Sequence, residues 1–221
     1  MKKIYLLSGP GAKEGFSKEV LCNLKKDLIN AKSITFIASS PENHEKNLNY
    51  VFGNENITGM INHLKTITTF SKINIIDNEN TNLDLNSDII YLLGGNHETQ
   101  LNFIKENNLG EKLQKYNGIL LCTSCGAMNV AKYGYYSKDD DIKESFFYDG
   151  LNLIDVTIDP HFDIENKEQT NEAKRMSYEH QIYGVPNASC ITLENNNIEM
   201  IGKTYVFSKE KMVIFNEKNK C

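Results

Sequence analysis

The stretch G-I-L-L-C-T-S-C-G-A-M occupies residues 118–128. Its apolar first half predicts a buried strand, and its small residues predict a sharp turn into a helix at Ser124. Small residues stand two positions before and after the serine, at Cys122 and Gly126, as the strained turn of a nucleophile elbow requires. A helix starting here would direct backbone N–H groups at the serine and favour a developing oxyanion. Ser124 is therefore the candidate nucleophile, and the alternative is a simple helix N-cap.

The same alternation of apolar runs and amphipathic stretches fills the first two-thirds of the chain. Strands are predicted at 4–8, 34–38, 73–76, 89–93 and 119–122, and helices at 13–30, 57–69, 99–106 and 126–132. This pattern predicts an α/β fold in which a doubly wound, mostly parallel sheet is flanked by helices, with right-handed crossovers.

The pattern changes after residue 149. A strand at 153–158 and a charged helix near 168–179 are followed by short strands around 190–193, 198–200 and 204–207. We expect a C-terminal β-hairpin extension of antiparallel strands there. With 221 residues, 40% of them hydrophobic, the chain is predicted to form one domain, residues 1–221.

A second strand-to-helix turn carries polar and glycine residues. The apolar run 89–93 leads into Gly94-Gly95-Asn96, and the carboxyl ends of parallel strands meet at one edge of the sheet, where ligands bind. The N–H of Gly94 or Gly95, together with that of Cys125, is predicted to form an oxyanion hole. The alternative is a turn that needs glycine for its dihedral angles.

Only five histidines are candidates for the base that would activate Ser124. His44, His63 and His180 stand in polar contexts, and His97 follows the Gly-Gly turn. His161 comes at the end of an apolar strand, after Pro160, where it would face the same edge of the sheet. We therefore predict His161 as the base.

The amino-acid composition limits which binding partners and which cellular location we expect for the protein. The net charge is −5 with no long Lys/Arg cluster, which argues against nucleic acid and against an anionic membrane surface. No stretch has the length of a membrane span, and the N-terminal apolar run is too short for a signal peptide. We expect a cytoplasmic protein whose partner is a small peptide, with a homodimer as an alternative to a monomer.

The cysteines predict neither a metal nor a cofactor. Five of them are scattered along the chain, so we expect reduced thiols. Cys122 and Cys125 form a C-x-x-C, but no second pair accompanies it, and this leaves zinc binding or disulfide exchange as a minor alternative.

Three segments resemble the dipeptidase E and cyanophycinase family of serine peptidases, whose fold is similar to that of class I glutamine amidotransferases and is flavodoxin-like. They are L-G-G-N at 93–96, T-S-C-G-A-M at 123–128 and D-P-H-F-D at 159–163, and Y-G-V-P-N at 183–187 extends the likeness. The resemblance implies that Ser124 is the nucleophile, His161 the base and Gly94 or Gly95 part of the oxyanion hole. It also implies hydrolysis of small peptides with N-terminal aspartyl or isoaspartyl linkages, without a metal.

The sequence departs from the family in ways that leave alternatives open. Cys122 and Cys125 replace the glycine and alanine of the usual elbow, which raises a second hypothesis, an amidotransferase-like hydrolase that uses Cys125. The family's acidic residue that orients the histidine falls on Asn187, and Asp159 is the nearest carboxylate in sequence. We favour Asn187 as the orienting residue. A non-catalytic binding protein with a degraded triad is the third hypothesis.

Overall fold

The protein is described by a computed structural model that covers residues 2–10, 15–55, 58–138, 142–195 and 197–216. The helices are α1 (Lys18–Leu28), α2 (His44–Phe52), α3 (Met60–Leu64), α4 (His97–Glu106), α5 (Leu109–Lys115), α6 (Cys125–Asn129) and α7 (Lys167–Met176). The strands are β1 (Lys3–Leu7), β2 (Ser33–Ile37), β3 (Lys72–Ile76), β4 (Ile89–Leu92), β5 (Ile119–Thr123), β6 (Tyr133–Tyr136), β7 (Phe146–Asp149), β8 (Thr157–Pro160), β9 (Ile182–Val185), β10 (Cys190–Glu194), β11 (Asn197–Ile201), β12 (Lys203–Ser208) and β13 (Lys211–Asn216).

The central sheet has seven strands in the order β11-β10-β1-β5-β4-β2-β3. Its five strands from β1 to β3 run parallel, and β10 and β11 continue the sheet antiparallel. The chain winds outward from β1 to β2 and β3 and then returns through β4 to β5. The predicted doubly wound sheet with a C-terminal hairpin is therefore confirmed.

Alternate residues of the central strands enter two separate cores, one on each face of the sheet. On β1, Tyr5 and Leu7 pack with α1, α2 and α3, whereas Ile4 and Leu6 pack with α4, α5 and α6. This division follows from the two-residue period of a strand, because successive side chains point to opposite faces. Both faces are covered, which explains why apolar residues predominate in the parallel strands.

A second sheet, in the order β13-β12-β9-β8, stands beside the first and packs on α7. Its strands β8 and β9 run parallel, with Pro160 opposite Val185. The C-terminal half thus contributes one hairpin to the central sheet and a second hairpin, β12–β13, to this smaller sheet. Among the described residues, no helix is long and apolar enough to cross a membrane.

Several predicted elements differ from the structure. The predicted helices are shorter, and the starts predicted at residues 13 and 57 lie outside the described residues. In α1, the Ser17 hydroxyl accepts a hydrogen bond from Val20 N and begins the helix at Lys18, as an N-cap does. Helices α2 and α5 and strands β6, β7, β9 and β13 were not predicted.

The free thiols Cys122, Cys125 and Cys190 are all buried. Cys22 is disulfide-bonded, so the expectation of reduced cysteines was wrong for this residue. Residue Cys221 lies outside the described residues.

Candidate active site

The turn between β5 and α6 has the geometry of a nucleophile elbow. Ser124 adopts φ 51° and ψ −118°, a strained conformation for a residue with a Cβ. Its N–H donates to Leu7 O at 2.9 Å, which ties the elbow to the end of β1. Ser124 stands at the N-cap position of α6, but its side chain makes no capping hydrogen bond. The simple N-cap interpretation therefore does not account for this serine.

The Ser124 hydroxyl instead faces His161. The Ser124 Oγ lies 2.9 Å from His161 Nε2, within reach of a proton transfer. His161 directly follows β8 and has φ 57°, a left-handed conformation that turns the chain sharply out of the strand. Its backbone N–H donates to Ser8 Oγ at 2.7 Å. The position of His161 is thus fixed by two strand ends, that of β8 in the smaller sheet and that of β1 in the central sheet.

Asn187 contacts the other nitrogen of the imidazole. The Asn187 Oδ1 lies 2.6 Å from His161 Nδ1, and because an amide oxygen only accepts, it places the proton on Nδ1. Nε2 is then the acceptor for the Ser124 hydroxyl.

Asp159, the alternative orienting residue, does not take this place. Its Oδ2 accepts a hydrogen bond from Gln169 Nε2 at 3.1 Å, on the side of α7. The left-handed turn at His161 breaks the two-residue alternation that would have put Asp159 and His161 on one face.

The Gly94-Gly95 turn lies directly against the elbow. A Cβ built on Gly94 would stand 3.2 Å from Ser124 Cβ, and one on Gly95 would stand 2.2 Å from Ser39 Oγ. Gly95 also has φ 141°, which only glycine adopts readily. The Ser39 hydroxyl donates to Gly94 O at 2.6 Å and holds this turn in place.

Cys125 lies beside the elbow, but its thiol is buried. Only 3% of the residue is exposed, and Sγ donates to Leu93 O at 3.5 Å. Burial raises the pKa of Cys125 to about 12, although the backbone amides of Gly95 and Gly126 oppose this shift. The thiol is therefore protonated at neutral pH, and a thiol is a far weaker nucleophile than a thiolate.

Two further residues of this site were not predicted from the sequence. Ser8 and Gly9 follow β1, and both are buried. Ser8 fixes the backbone of His161, and Gly9 O accepts from Ala188 N at 2.9 Å next to Asn187. The sequence could have indicated them, because they follow a predicted parallel strand and ligands bind at the carboxyl ends of such strands.

We expect Gly9→Ala to impair the site without unfolding the protein. A Cβ at Gly9 would lie 2.9 Å from His161 Cε1 and 3.6 Å from Asn187 Oδ1, so the imidazole must move. A displacement of this kind lowers kcat/KM by about 10²-fold. The matched control is Gly110→Ala, whose Cβ would meet only Leu151 Cδ2 at 3.7 Å. Full activity in Gly9→Ala, with a thermal midpoint equal to that of the control, would contradict this role.

A cavity of about 430 Å³ opens onto Ser124 and His161. Its other walls come from β6 and the residues after it, from the end of β8 and from α7. The lining residues are Gly95, Ser124, Cys125, Met128, Tyr135, Tyr136, Ser137, Lys138, Asp159, Pro160, His161, Asn166 and Gln169. Its size and mixed lining suit a small polar ligand.

Comparison with known proteins assigns the family. The sequence profile of peptidase family S51 matches residues 4–201. The chain belongs to peptidase family S51. It is thus a serine peptidase, and the resemblance to the dipeptidase E family is confirmed. No curated protein sequence matches the chain.

Solved structures share the fold of this S51 peptidase. A peptidase from an acI-B1 Actinobacterium has a TM-score of 0.63 at 13% identity, and the match covers 99% of this chain and 96% of the other. A candidate peptidase E from Listeria monocytogenes EGD-e has a TM-score of 0.62 at 18% identity, covering 90% and 98%. At these sequence identities, the comparison shows that the folds are alike and nothing more.

The remaining histidines of the S51 peptidase lie outside the cavity. The ring of His97 packs against Tyr136 and Tyr148, and His44 Nδ1 lies 2.7 Å from Asp77 Oδ2. Within the described parts of the chain, no three His, Cys, Asp or Glu residues are grouped so that they could hold a metal ion.

Proposed function

We propose that this serine peptidase cleaves small peptides through Ser124 as nucleophile, His161 as general base and Asn187 as the residue that orients His161. The observation that carries the proposal is the continuous chain of contacts from Ser124 Oγ through both nitrogens of His161 to Asn187 Oδ1. In this mechanism His161 Nε2 takes the hydroxyl proton as Ser124 attacks the carbonyl carbon, and the proton then passes to the leaving amine.

The oxyanion of the tetrahedral intermediate is proposed to bind backbone amides at the elbow. The N–H of Cys125 begins α6 directly after Ser124, and the Gly94-Gly95 turn approaches Ser124 from β4. Because α6 spans only five residues, we attribute oxyanion binding to individual N–H groups rather than to a helix dipole. The Gly95 N–H now contacts the Cys125 thiol, and in the proposed mechanism it would donate to the oxyanion instead.

The proposed substrates are dipeptides and short peptides with an N-terminal aspartyl or isoaspartyl residue. The support is Lys138, a cation on the cavity wall whose Nζ forms an ion pair with Glu168. A carboxylate of the substrate would replace Glu168 as its partner. A panel of aspartyl, isoaspartyl and neutral dipeptides tests this proposal, and a preference for neutral over both acidic groups would reject it.

A fluorophosphonate probe tests the nucleophile. We expect it to label Ser124 and to block hydrolysis, because the probe requires an activated serine. Absence of labelling together with absence of hydrolysis across the panel would reject the proposed function and favour a non-catalytic protein.

Cys125→Ala tests the alternative nucleophile. We expect it to keep kcat/KM within about tenfold of the unmodified enzyme, since the buried, protonated thiol takes no part in the chemistry. The measurements are kcat/KM of the variant on the best dipeptide and hydrolysis of that dipeptide by the unmodified enzyme before and after treatment with iodoacetamide. Inactivation by this thiol reagent at Cys125, with Ser124 unlabelled by the fluorophosphonate, would instead support the amidotransferase-like hypothesis.

A further inference from the structure

One further side chain, that of Tyr50 in α2, reaches the nucleophile elbow. A Cβ built on Gly94 would stand 3.2 Å from Ser124 Cβ and 3.4 Å from the Tyr50 hydroxyl oxygen. The phenol and the nucleophile therefore border the same small space beside the Gly94-Gly95 turn, which stays open because Gly94 has no side chain. Tyr50 approaches this space from α2, whereas His161 approaches Ser124 from the end of β8.

Helix α2 is anchored, so the position of Tyr50 is fixed by the fold. Asn47, one turn before Tyr50, is buried. Its Nδ2 donates to Ser40 O at 3.0 Å and to Asp77 Oδ2 at 3.1 Å, which ties α2 to the residues that follow β2 and β3. Val51, next to Tyr50 in the helix, is fully buried in the core. The phenol is thus in place before a substrate binds, as a catalytic group requires.

The Tyr50 hydroxyl is a donor that the folded protein leaves unused. Within the described part of the chain, it has no hydrogen-bond partner. Burial raises the pKa of this phenol above its ordinary value, and the nearby Cys125 thiol adds to the shift. The hydroxyl therefore keeps its proton at neutral pH and can donate a hydrogen bond. Tyr50 is 36% exposed and lines a cavity of about 360 Å³ along α2, so a ligand can reach this residue.

The charge that develops at the elbow decides how such a donor could be used. When Ser124 attacks, negative charge forms on the carbonyl oxygen, and the donors proposed above are backbone N–H groups. One of them, the Gly95 N–H, contacts the Cys125 thiol in the free protein. The Tyr50 hydroxyl, beside the same turn, has no such competing partner. A neutral donor of this kind stabilises an oxyanion without needing a charge of its own.

We propose that Tyr50 is a further catalytic residue, whose hydroxyl donates a hydrogen bond to the oxyanion of the tetrahedral intermediate. This inference rests on the proposed function, because it adds a side-chain donor to the backbone amides at Ser124. The hydroxyl keeps its proton throughout. Its hydrogen bond strengthens as charge grows on the carbonyl oxygen and weakens when the carbonyl forms again. Tyr50 therefore stabilises the transition state more than the bound substrate.

Tyr50→Phe tests this role because it removes only the hydroxyl oxygen. A hydrogen bond to a charged group predicts a fall in kcat/KM of about 10- to 100-fold, which appears in kcat and leaves KM within about threefold. The thermal midpoint should not change, since the hydroxyl has no partner to lose. The matched control is Tyr178→Phe, the same chemical change at a tyrosine that is 75% exposed and lines neither cavity. This control should keep full activity.

A pair of inhibitors separates an oxyanion donor from a group that only binds the substrate. The first is a trifluoromethyl ketone made from the best dipeptide, which a serine attacks to give a tetrahedral adduct with an oxyanion. The second is the matching trifluoromethyl alcohol, which forms no adduct. We expect Tyr50→Phe to raise the inhibition constant of the ketone by the same factor by which it lowers kcat/KM, and to leave that of the alcohol within about threefold.

The outcomes separate this inference from the proposed function. Unchanged kcat/KM in Tyr50→Phe, or equal weakening of the ketone and the alcohol, would overturn the role of Tyr50. Hydrolysis by the unmodified enzyme and fluorophosphonate labelling of Ser124 would then still support the proposed function. Absence of labelling and of hydrolysis in the unmodified enzyme would overturn both. A lower thermal midpoint with unchanged kcat/KM in Tyr50→Phe would make Tyr50 a purely structural residue.

Discussion

Ser124→Ala is expected to lower kcat by at least about 10⁴-fold, because the substitution removes the attacking oxygen and leaves only binding and the oxyanion hole. The fold should persist. The hydroxyl makes its hydrogen bond to His161 in an open cavity and makes no capping bond to α6, so its removal leaves no void in the core. The measurement combines peptide hydrolysis with a thermal unfolding curve.

The matched control for the nucleophile is Ser71→Ala. Ser71 is exposed and its hydroxyl donates only to Lys32 O, so this variant should keep full activity. If Ser124→Ala retained hydrolysis and Cys125→Ala lost it, the nucleophile would be the thiol and the mechanism proposed above would be wrong.

Asn187→Ala is expected to produce the second largest loss, a fall in kcat of about 10²-fold or more. Without the amide oxygen at Nδ1, the imidazole no longer holds its proton on the correct nitrogen, and its Nε2 is no longer aimed at Ser124. The loss should be the same for acidic and neutral dipeptides, because it affects the base and not the binding of the substrate side chain. The measurement is kcat for one acidic and one neutral dipeptide.

Asn187→Asp separates orientation from charge. An asparagine orients the imidazole, whereas a carboxylate also stabilises the imidazolium that forms during attack. We therefore expect Asn187→Asp to keep or raise kcat. A near-normal kcat in Asn187→Ala, together with a large loss of kcat in a folded Asp159→Asn protein, would make Asp159 the partner of His161 in function.

The central strands were predictable because apolar residues predominate in each one. Strands β1 to β5 contribute residues to the cores on both faces of the sheet, which favours apolar residues along them. Helix α5 escaped prediction because it has only seven residues and contains Gly110, which has a low helix propensity. Strands β6 and β9 each contain a glycine and β7 ends in Asp149, so these four-residue strands are not uniform apolar runs as β4 is.

The sequence by itself determined the order of the parallel strands' apolar runs, the elbow at Ser124 and the turn at Gly94 and Gly95, because these are local patterns of side-chain size and polarity. The tertiary structure alone decided which groups meet. Ser8 contacts His161 across 153 residues of the chain, and Ser124 contacts it across 37. The left-handed turn at His161 directed its ring toward Asn187 and left Asp159 facing the cavity. Such distances and directions depend on how two sheets pack, and no local pattern encodes them.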